Sequence, residues 1–390
     1  MESFLSTKST RLERSFEKLE TLRRINGGYL ASPNPGKPDG TGRYNVFWLR
    51  DIMYATYANE YLGNFSHMIR SFELVMTIMS KYRHKLLITK IPEKHALHAR
   101  FHPNTLEELS NDWGHHQLDV VGLFLYKTGD LIKKGHNVIT TMQQRELIRD
   151  LIQYVFTYRW ETYPDYGMWE EGPEVHSSSV GAILAGLTMW HDEGHYDYKY
   201  RHPMNLSEIV PVSDRYFETG GKILHELLPR ESKTRNTDMA QLSLIWPYNI
   251  IDLDLQDVIL DNVEKRLLRD KGVIRYEKDW YFNASHTEKE GNEAEWPLGI
   301  AWLSIVHNKL AGRKGDKQKA MEHLRKSKNY LEKLDRLMVD GCLPELYTGG
   351  KPNENCPLAW AHSFHIIALQ SFINATEDLR VEGVDVSALE

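Results

Sequence analysis

The chain has 390 residues, 41% apolar and 26% charged, a globular balance that excludes a disordered tail and leaves room for two or three domains or one large repetitive one. Its net charge of −6 supplies no basic field for nucleic acid or an anionic membrane, and its 2 cysteines are too few for a disulfide framework. The 10 Trp, 20 Tyr and 12 Phe suit a pocket that stacks on sugar faces, and equally a large core.

The predicted elements are helices. Apolar stripes bounded by Gly, Pro, Asn or Asp predict a dozen, at residues 8–24, 48–63, 65–82, 114–128, 139–158, 177–192, 206–227, 237–246, 254–269, 294–311, 315–337 and 357–375. The third shows the pattern plainly, with Phe65, Met68, Ile69, Phe72, Val75, Met76 and Met79 on one face. Leu147, Ile148, Leu151, Ile152 and Val155 repeat it. Helix 315–337 is the most polar, with Ala320, Leu324, Leu331 and Leu334 as a narrow buried edge. Strand-like alternation is scarce, Val273–Tyr276 being the sort of short piece that remains.

No Gly/Ser linker or composition shift divides this series, which predicts a single domain over residues 1–390, with an N-terminal helix within 1–25 and a frayed tail at 378–390. With no repeat of fixed length, six helical hairpins closed into an (α/α)6 toroid use every helix. The first two dozen residues read as neither signal peptide nor anchor, and no apolar run approaches the ~20 residues of a membrane span. The expected location is cytoplasmic.

The loops at 26–47, 85–113, 159–176, 270–293 and 338–357 are long and rich in Trp, Tyr, His, Asp, Glu and Gly, and long ordered loops are where function concentrates. In Trp169-Glu170-Glu171 one carboxylate can lie against apolar rings and gain a raised pKa while its neighbour stays ionised. The same pair also suits a solvated loop or the positive end of the next helix. Glu345 follows the stiffening Pro344, a useful place for a base and also an ordinary loop position. Arg50 and Asp51 are surrounded by Phe47, Trp48 and Ile52, and buried charges need partners. A sugar hydroxyl, both donor and acceptor, fits between them.

Taken together and in this order, these segments resemble glycoside hydrolase family 15, the glucoamylase family. The resemblance rests on Tyr44-x3-Trp48-x-Arg50-Asp51, Trp169-Glu170-Glu171, Gly272-x2-Arg275-Tyr276, Trp296, Glu345 and Leu358-Ala359-Trp360. It implies the (α/α)6 barrel and an inverting, exo-acting α-glucosidase that releases β-D-glucose from short α-gluco-oligosaccharides, α-1,4 or α-1,6. Carried over residue by residue, Glu170 is the general acid and Glu345 the general base, with raised and ordinary pKa respectively. Arg50 and Asp51 hold the far hydroxyls of the terminal glucose, Tyr44 helps hold the base or its water, and Glu171 is a ligand of the next sugar. Arg275 binds near the cleaved bond, and Trp48, Trp169, Trp296 and Trp360 line the pocket.

Leu346 departs from the polar residue of fungal relatives, and the length leaves no room for the extra β-sandwich or starch-binding domains of others. Short oligosaccharides are therefore the expected partner, with no cofactor, nucleic acid, membrane or obligate protein partner. His95, His98 and His102, followed by His115-His116, raise a metal reading, against packing and hydrogen bonding in the pocket wall; no metal is the expectation. Trp113, Gln117 and Asp119 read as wall or helix-capping positions, and Cys342 and Cys356, flanking the Glu345 loop, as free thiols. Competing readings are a sugar 2-epimerase on the same barrel, a trehalase-like specificity, and a regulatory glucoamylase-like carbohydrate-binding domain.

Overall fold

A computed structural model describes residues 4–37, 43–87, 95–109, 114–190, 214–283, 292–313 and 315–389. The order is α1 (Phe4–Leu22), β1 (Phe47–Trp48), α2 (Leu49–Tyr61), α3 (Phe65–Lys81), α4 (Arg83–Leu86), β2 (Arg100–Phe101), α5 (Leu118–Lys133) and α6 (Met142–Thr157). There follow α7 (Ser177–Thr188), α8 (Asp214–Leu227), a 3-10 turn at Met239–Gln241 running into α9 (Leu242–Ile245), α10 (Leu253–Arg266), α11 (Pro297–Ala311) and α12 (Lys317–Leu337). Strands β3 (Tyr347–Thr348) and β4 (Lys351–Pro352) form a hairpin before α13 (Ala359–Val381).

Apart from the single turn α4, the helices alternate between two layers. Helices α2, α5, α7, α9, α11 and α13 each pack on the next, and α13 returns to pack on α2, closing an inner ring. Helices α1, α3, α6, α8, α10 and α12 lie outside, giving an (α/α)6 toroid.

Residue type sorts the layers. Inner helices are buried almost all round, as in α7, where every residue from Ser177 to Leu187 is buried. Its small side chains allow close approach to α5: a Cβ on Gly122 would lie 2.4 Å from the Ala182 carbonyl carbon. Outer helices bury one stripe, in α12 Ala320, Met321, Leu324, Ser327, Leu331, Leu334 and Leu337. Each fully buried aliphatic side chain contributes roughly 1.5–3 kcal/mol.

Helix starts differ in the same way. Three outer helices carry side-chain caps: Thr141 and Gln144 form a capping box on α6, Asp252 accepts from Leu255 N on α10, and Asp316 from Lys319 N on α12. The residues preceding α2, α5, α7, α11 and α13 are Trp48, Gln117, His176, Trp296 and Leu358, none with a side-chain cap bond. The motif loops therefore converge where the inner helices present their positive ends.

Several expectations are corrected. The fourth predicted helix, expected at 114–128, is α5, which starts at Leu118 because Gln117 is still extended and runs on to Lys133. Val273 and Tyr276 form isolated bridges, to Leu268 and Trp296 and to Asp238, and no strand of their own. The 378–390 segment is not simply frayed: α13 continues to Val381, and Val386 and Leu389 are buried. Residues 206–213 of the seventh predicted helix lie outside the described residues. Among the described residues no helix is long and apolar enough to cross a membrane.

Candidate active site

Two glutamates from distant loops both act on Asp51, buried in the first turn of α2. Glu345 is 1% exposed. The Tyr44 hydroxyl donates to its Oε1 at 2.6 Å, and the Asn353 and Asn355 amides donate to its Oε2 at 2.6 and 2.7 Å. Its backbone N–H donates to the Asn355 carbonyl at 2.9 Å, so the β3–β4 hairpin fixes both main chain and carboxylate. Burial raises its pKa, opposed by those three donors. The ordinary pKa expected for Glu345 is thus corrected upward: burial outweighs the hydrogen bonds.

Glu170 lies in the loop before α7 with φ 58°, a left-handed conformation uncommon outside glycine. Four bonds steady this loop. Trp169 Nε1 donates to Asp238 Oδ1 at 2.7 Å, Glu171 N–H to the Tyr166 carbonyl at 3.0 Å, and Asp165 exchanges backbone bonds with Glu174. Asp165 also accepts from Leu118 N–H and Ser179 Oγ, both at 2.8 Å, tying the loop to the starts of α5 and α7. Burial pushes the Glu170 carboxyl up to about 7, although Arg50 and Arg275 pull it down.

Arg50 reaches Glu170 Oε1 with Nη1 at 3.3 Å. Its Nε and Nη2 grip the two Asp119 oxygens at 2.9 and 3.2 Å, and Nη2 also donates to Gln117 Oε1 at 2.6 Å. The planar guanidinium is therefore held in one orientation. Asp51 is 6% exposed, and among the described residues no other side chain donates to its carboxylate. It is pushed up to about 7 by burial, with Arg50 lowering it and both Glu170 and Glu345 raising it. One buried acid thus feels both glutamates.

The adjacent Glu171 has a different environment. Its Oε1 accepts from Arg275 and its Oε2 from Tyr276, and Arg235 forms an ion pair with Oε2 at 3.5 Å. Arg275 is also clamped by Asp279 at 2.6 Å through both Nε and Nη2. It lies 5.6, 4.8 and 5.3 Å from the rings of Trp169, Tyr281 and Trp296. Gly272 permits this arrangement, since a Cβ there would lie 2.3 Å from the Trp296 backbone nitrogen.

Aromatic rings form the walls. Trp360 stacks on Tyr54 (5.2 Å, 13°) and on Trp169 (5.9 Å, 23°), with Arg50 5.6 Å from its ring. Trp296 lies 5.9 Å from Trp169 and 6.1 Å from Tyr281, and Trp48 carries Arg100 over its ring at 5.6 Å. Beneath Trp360 the core is closed: Tyr54, Trp302 and Phe364 are fully buried against it. The Nε1 groups of Trp296 and Trp360 and the Gln117 amide nitrogen are buried with no partner among the described residues.

Tyr44 and Glu345 are joined directly, as are Arg50 and Glu170 and also Glu171 and Arg275, with Trp169, Trp296 and Trp360 packed beside them. Reasoning from the sequence missed Asn353, Asn355, Tyr281, Asp279, Asp238 and Arg235, and undervalued Gln117 and Asp119. An acid at position 119 inside the apolar run Leu118–Leu125 was a usable signal; the two asparagines gave none. Trp113 lies outside the described residues. Of the histidines, His98 stacks on His115 at 4.6 Å and burial lowers it to about 3, while His95 is exposed. Among the described residues no group of three or more His, Cys, Asp or Glu could hold a metal ion.

Comparison with known proteins gives a family and a fold. The family model for glycosyl hydrolases family 15 matches residues 16–368. A solved wild-type glycosidase has a TM-score of 0.70 at 20% identity, covering 93% of this chain and 97% of its own. The glucoamylase from Saccharomycopsis fibuligera has a TM-score of 0.69 at 16% identity, covering 96% of each chain. Curated relatives include a probable phosphorylase b kinase regulatory subunit alpha of Caenorhabditis elegans, 29% identical over 234 residues, 54% of this chain and 18% of that protein. The liver isoform of that subunit from Mus musculus is 28% identical over 283 residues, 65% of this chain and 22% of its own. The chain spans about a fifth of the length of these curated relatives.

Proposed function

The chain belongs to glycosyl hydrolases family 15, and we propose that it is an inverting, exo-acting α-glucosidase releasing β-D-glucose from the non-reducing end of short α-gluco-oligosaccharides. The observation that carries the reading is the pair of unlike glutamates. Glu170, pushed up to about 7, can hold a proton where Glu345, gripped by three donors, is kept available as an anion.

In this reading Glu170 protonates the glycosidic oxygen as the bond breaks. Glu345 takes a proton from water on the opposite sugar face; among the described residues its Oε1 accepts from Tyr44 alone, which leaves a lone pair for that water. Inversion requires a carboxyl separation of roughly 6.5–9.5 Å, wide enough for the water. Arg50 and Asp51 bind the far hydroxyls of the terminal glucose, and the orphaned donors of Trp296, Trp360 and Gln117 are groups a sugar oxygen would satisfy. The closed core beneath Trp360 supports a blind pocket and hence exo cleavage. Arg275 acts near the cleaved bond. Because both Glu171 oxygens are engaged, we assign Glu171 chiefly to orienting Arg275.

A second reading draws on the curated relatives, which are regulatory subunits by name: a carbohydrate-binding domain that does not hydrolyse. The experiment that separates the two is prolonged incubation with maltose and isomaltose, with glucose release measured for the natural chain, Glu170→Gln and Glu345→Gln. Release by the natural chain, nearly abolished in both variants, supports the enzyme. Binding without release supports the regulatory domain, and full turnover in either variant removes that residue from its role.

A further inference from the structure

Two residues before Glu345 the chain is held from behind. The Leu343 N–H donates to His362 Nε2 at 3.0 Å, and the Leu343 carbonyl accepts from Leu358 N–H, also at 3.0 Å. Leu358 immediately precedes α13 and His362 lies in its first turn, so both backbone polar groups of Leu343 are pinned to the start of that helix. Pro344, its φ fixed by the ring, then leads directly into Glu345. On the other side of His362, Nδ1 lies 3.3 Å from Ser15 Oγ of α1, and that oxygen lies 2.6 Å from His365 Nδ1. Ser15, Leu343, His362 and His365 are all fully buried.

We propose that His362 is a positioning residue for Glu345, held as its Nδ1–H tautomer by Ser15 and acting through the Leu343 amide; its part in catalysis rests on the glucosidase reading above. The tautomer follows from the donors. A backbone N–H can only donate, so His362 Nε2 presents its lone pair to Leu343. The neutral ring then carries its proton on Nδ1 and donates it to Ser15 Oγ, whose own hydroxyl proton goes to His365 Nδ1. Burial lowers both rings to about 3, helped by His365 and Lys18 at His362 and by Arg11 at His365, so both stay neutral at any working pH.

What this anchor protects is the register between the two arms that hold the base. Glu345 N–H donates to the Asn355 carbonyl at 2.9 Å, and the Asn353 and Asn355 amides reach Glu345 Oε2 only while the arms keep that register. The Leu343 amide is buried where water cannot replace a lost acceptor. Without His362 Nε2 it would turn toward another partner, and the stiff Pro344 would carry the displacement to Glu345. A base misplaced by about 1 Å slows the chemical step. Sugar binding, assigned above to Arg50 and Asp51 on α2, would be left as it was.

The test pairs His362→Gln, whose side-chain oxygen can accept in place of Nε2, with His362→Leu, which fills the space without accepting. His362→Leu should lower kcat by roughly 10- to 100-fold with KM unchanged. It should also move the acid limb of the pH profile upward, as the asparagine donors that lower the Glu345 pKa loosen, and speed amide exchange across residues 343–356. His362→Gln should recover most of kcat and of the exchange protection. Equal losses in both variants, unchanged exchange in His362→Leu, or unchanged kcat in that variant of a hydrolysing chain would overturn the proposal. In the natural chain, long-range proton–nitrogen NMR of the imidazoles, with His362 assigned by its loss in His362→Gln, should show a protonated Nδ1 and a bare Nε2 between about pH 5 and pH 8. A protonated Nε2 contradicts the proposal even where His362→Leu does not fold. Tautomer and exchange need no hydrolysis: if the natural chain releases no glucose while both behave as stated, the enzyme reading fails and the anchoring of Glu345 stands.

Discussion

The Tyr44 hydroxyl donates to Glu345 Oε1 at 2.6 Å, joining residues 301 positions apart in the chain. Burial and the neighbouring Glu345 hold the phenol far above its ordinary range, so it remains a donor at any working pH. A hydrogen bond to a charged group is worth roughly 1.5–3 kcal/mol. Tyr44→Phe should therefore lower kcat by roughly 10- to 100-fold with little change in KM. It should also move the acid limb of the pH profile upward, since this donor lowers the Glu345 pKa. Unchanged kcat and an unmoved acid limb would remove Tyr44 from this role.

The pH dependence of hydrolysis should be bell-shaped and narrow. Activity needs Glu345 ionised and Glu170 protonated. The rising limb should lie above the ordinary glutamate value of 4.5, because burial raises Glu345, and the falling limb should be centred near 7, where Glu170 loses its proton. Initial rates across the pH range check this. A plateau extending well past pH 8 would contradict the assignment of Glu170.

Folding stability should respond to the same carboxylates with a definite sign. Glu170 and Asp51 are pushed up to about 7, and Asp165 and Asp238 to about 6, each chiefly by burial. Their neutral forms favour the folded state, so this stabilisation is complete below the unfolded carboxyl pKa and is lost as pH rises through 6 to 7. Glu170→Gln should thus melt at a higher temperature than the natural chain at pH 8 and at nearly the same temperature below pH 4. Thermal unfolding at the two pH values measures it. A lower melting point at pH 8 would contradict the burial of Glu170.

The Arg50–Asp119 pair should be costly to break from one side. Both side chains are 3% exposed, and Asp119 supplies both oxygens that orient the guanidinium. Asp119→Ala leaves a buried, partly uncompensated arginine and should lower stability by roughly 3–5 kcal/mol. Denaturant titration reads the loss. A change below about 1 kcal/mol would mean that Gln117 and Glu170 hold Arg50 without Asp119.

Periodicity made much of the fold legible. The α12 edge of Ala320, Leu324, Leu331 and Leu334 is buried as its spacing required. Boundaries failed where the pattern did not change: α5 starts four residues after Gly114 because nothing in His115-His116-Gln117 marks those residues as extended. The buried Val386 and Leu389 were missed because a ten-residue end has no period to read.

Within the site, the neighbours Glu170 and Glu171 were indistinguishable from their local sequence. Their environments differ because Arg275, Tyr276 and Arg235 all turn to Glu171, leaving Arg50 as the hydrogen-bonding partner of Glu170. Resemblance to a family is what drew attention to this dipeptide. Asn353 and Asn355 stayed invisible because their value depends on a hairpin register that composition does not encode.

The anomer first released from maltose or isomaltose tests the opposed-glutamate arrangement most directly, followed by NMR before mutarotation erases it. Attack by water held at Glu345, on the face away from Glu170, should yield β-D-glucose first. Fresh α-D-glucose would mean retention, and with it a different pairing of the two carboxyls.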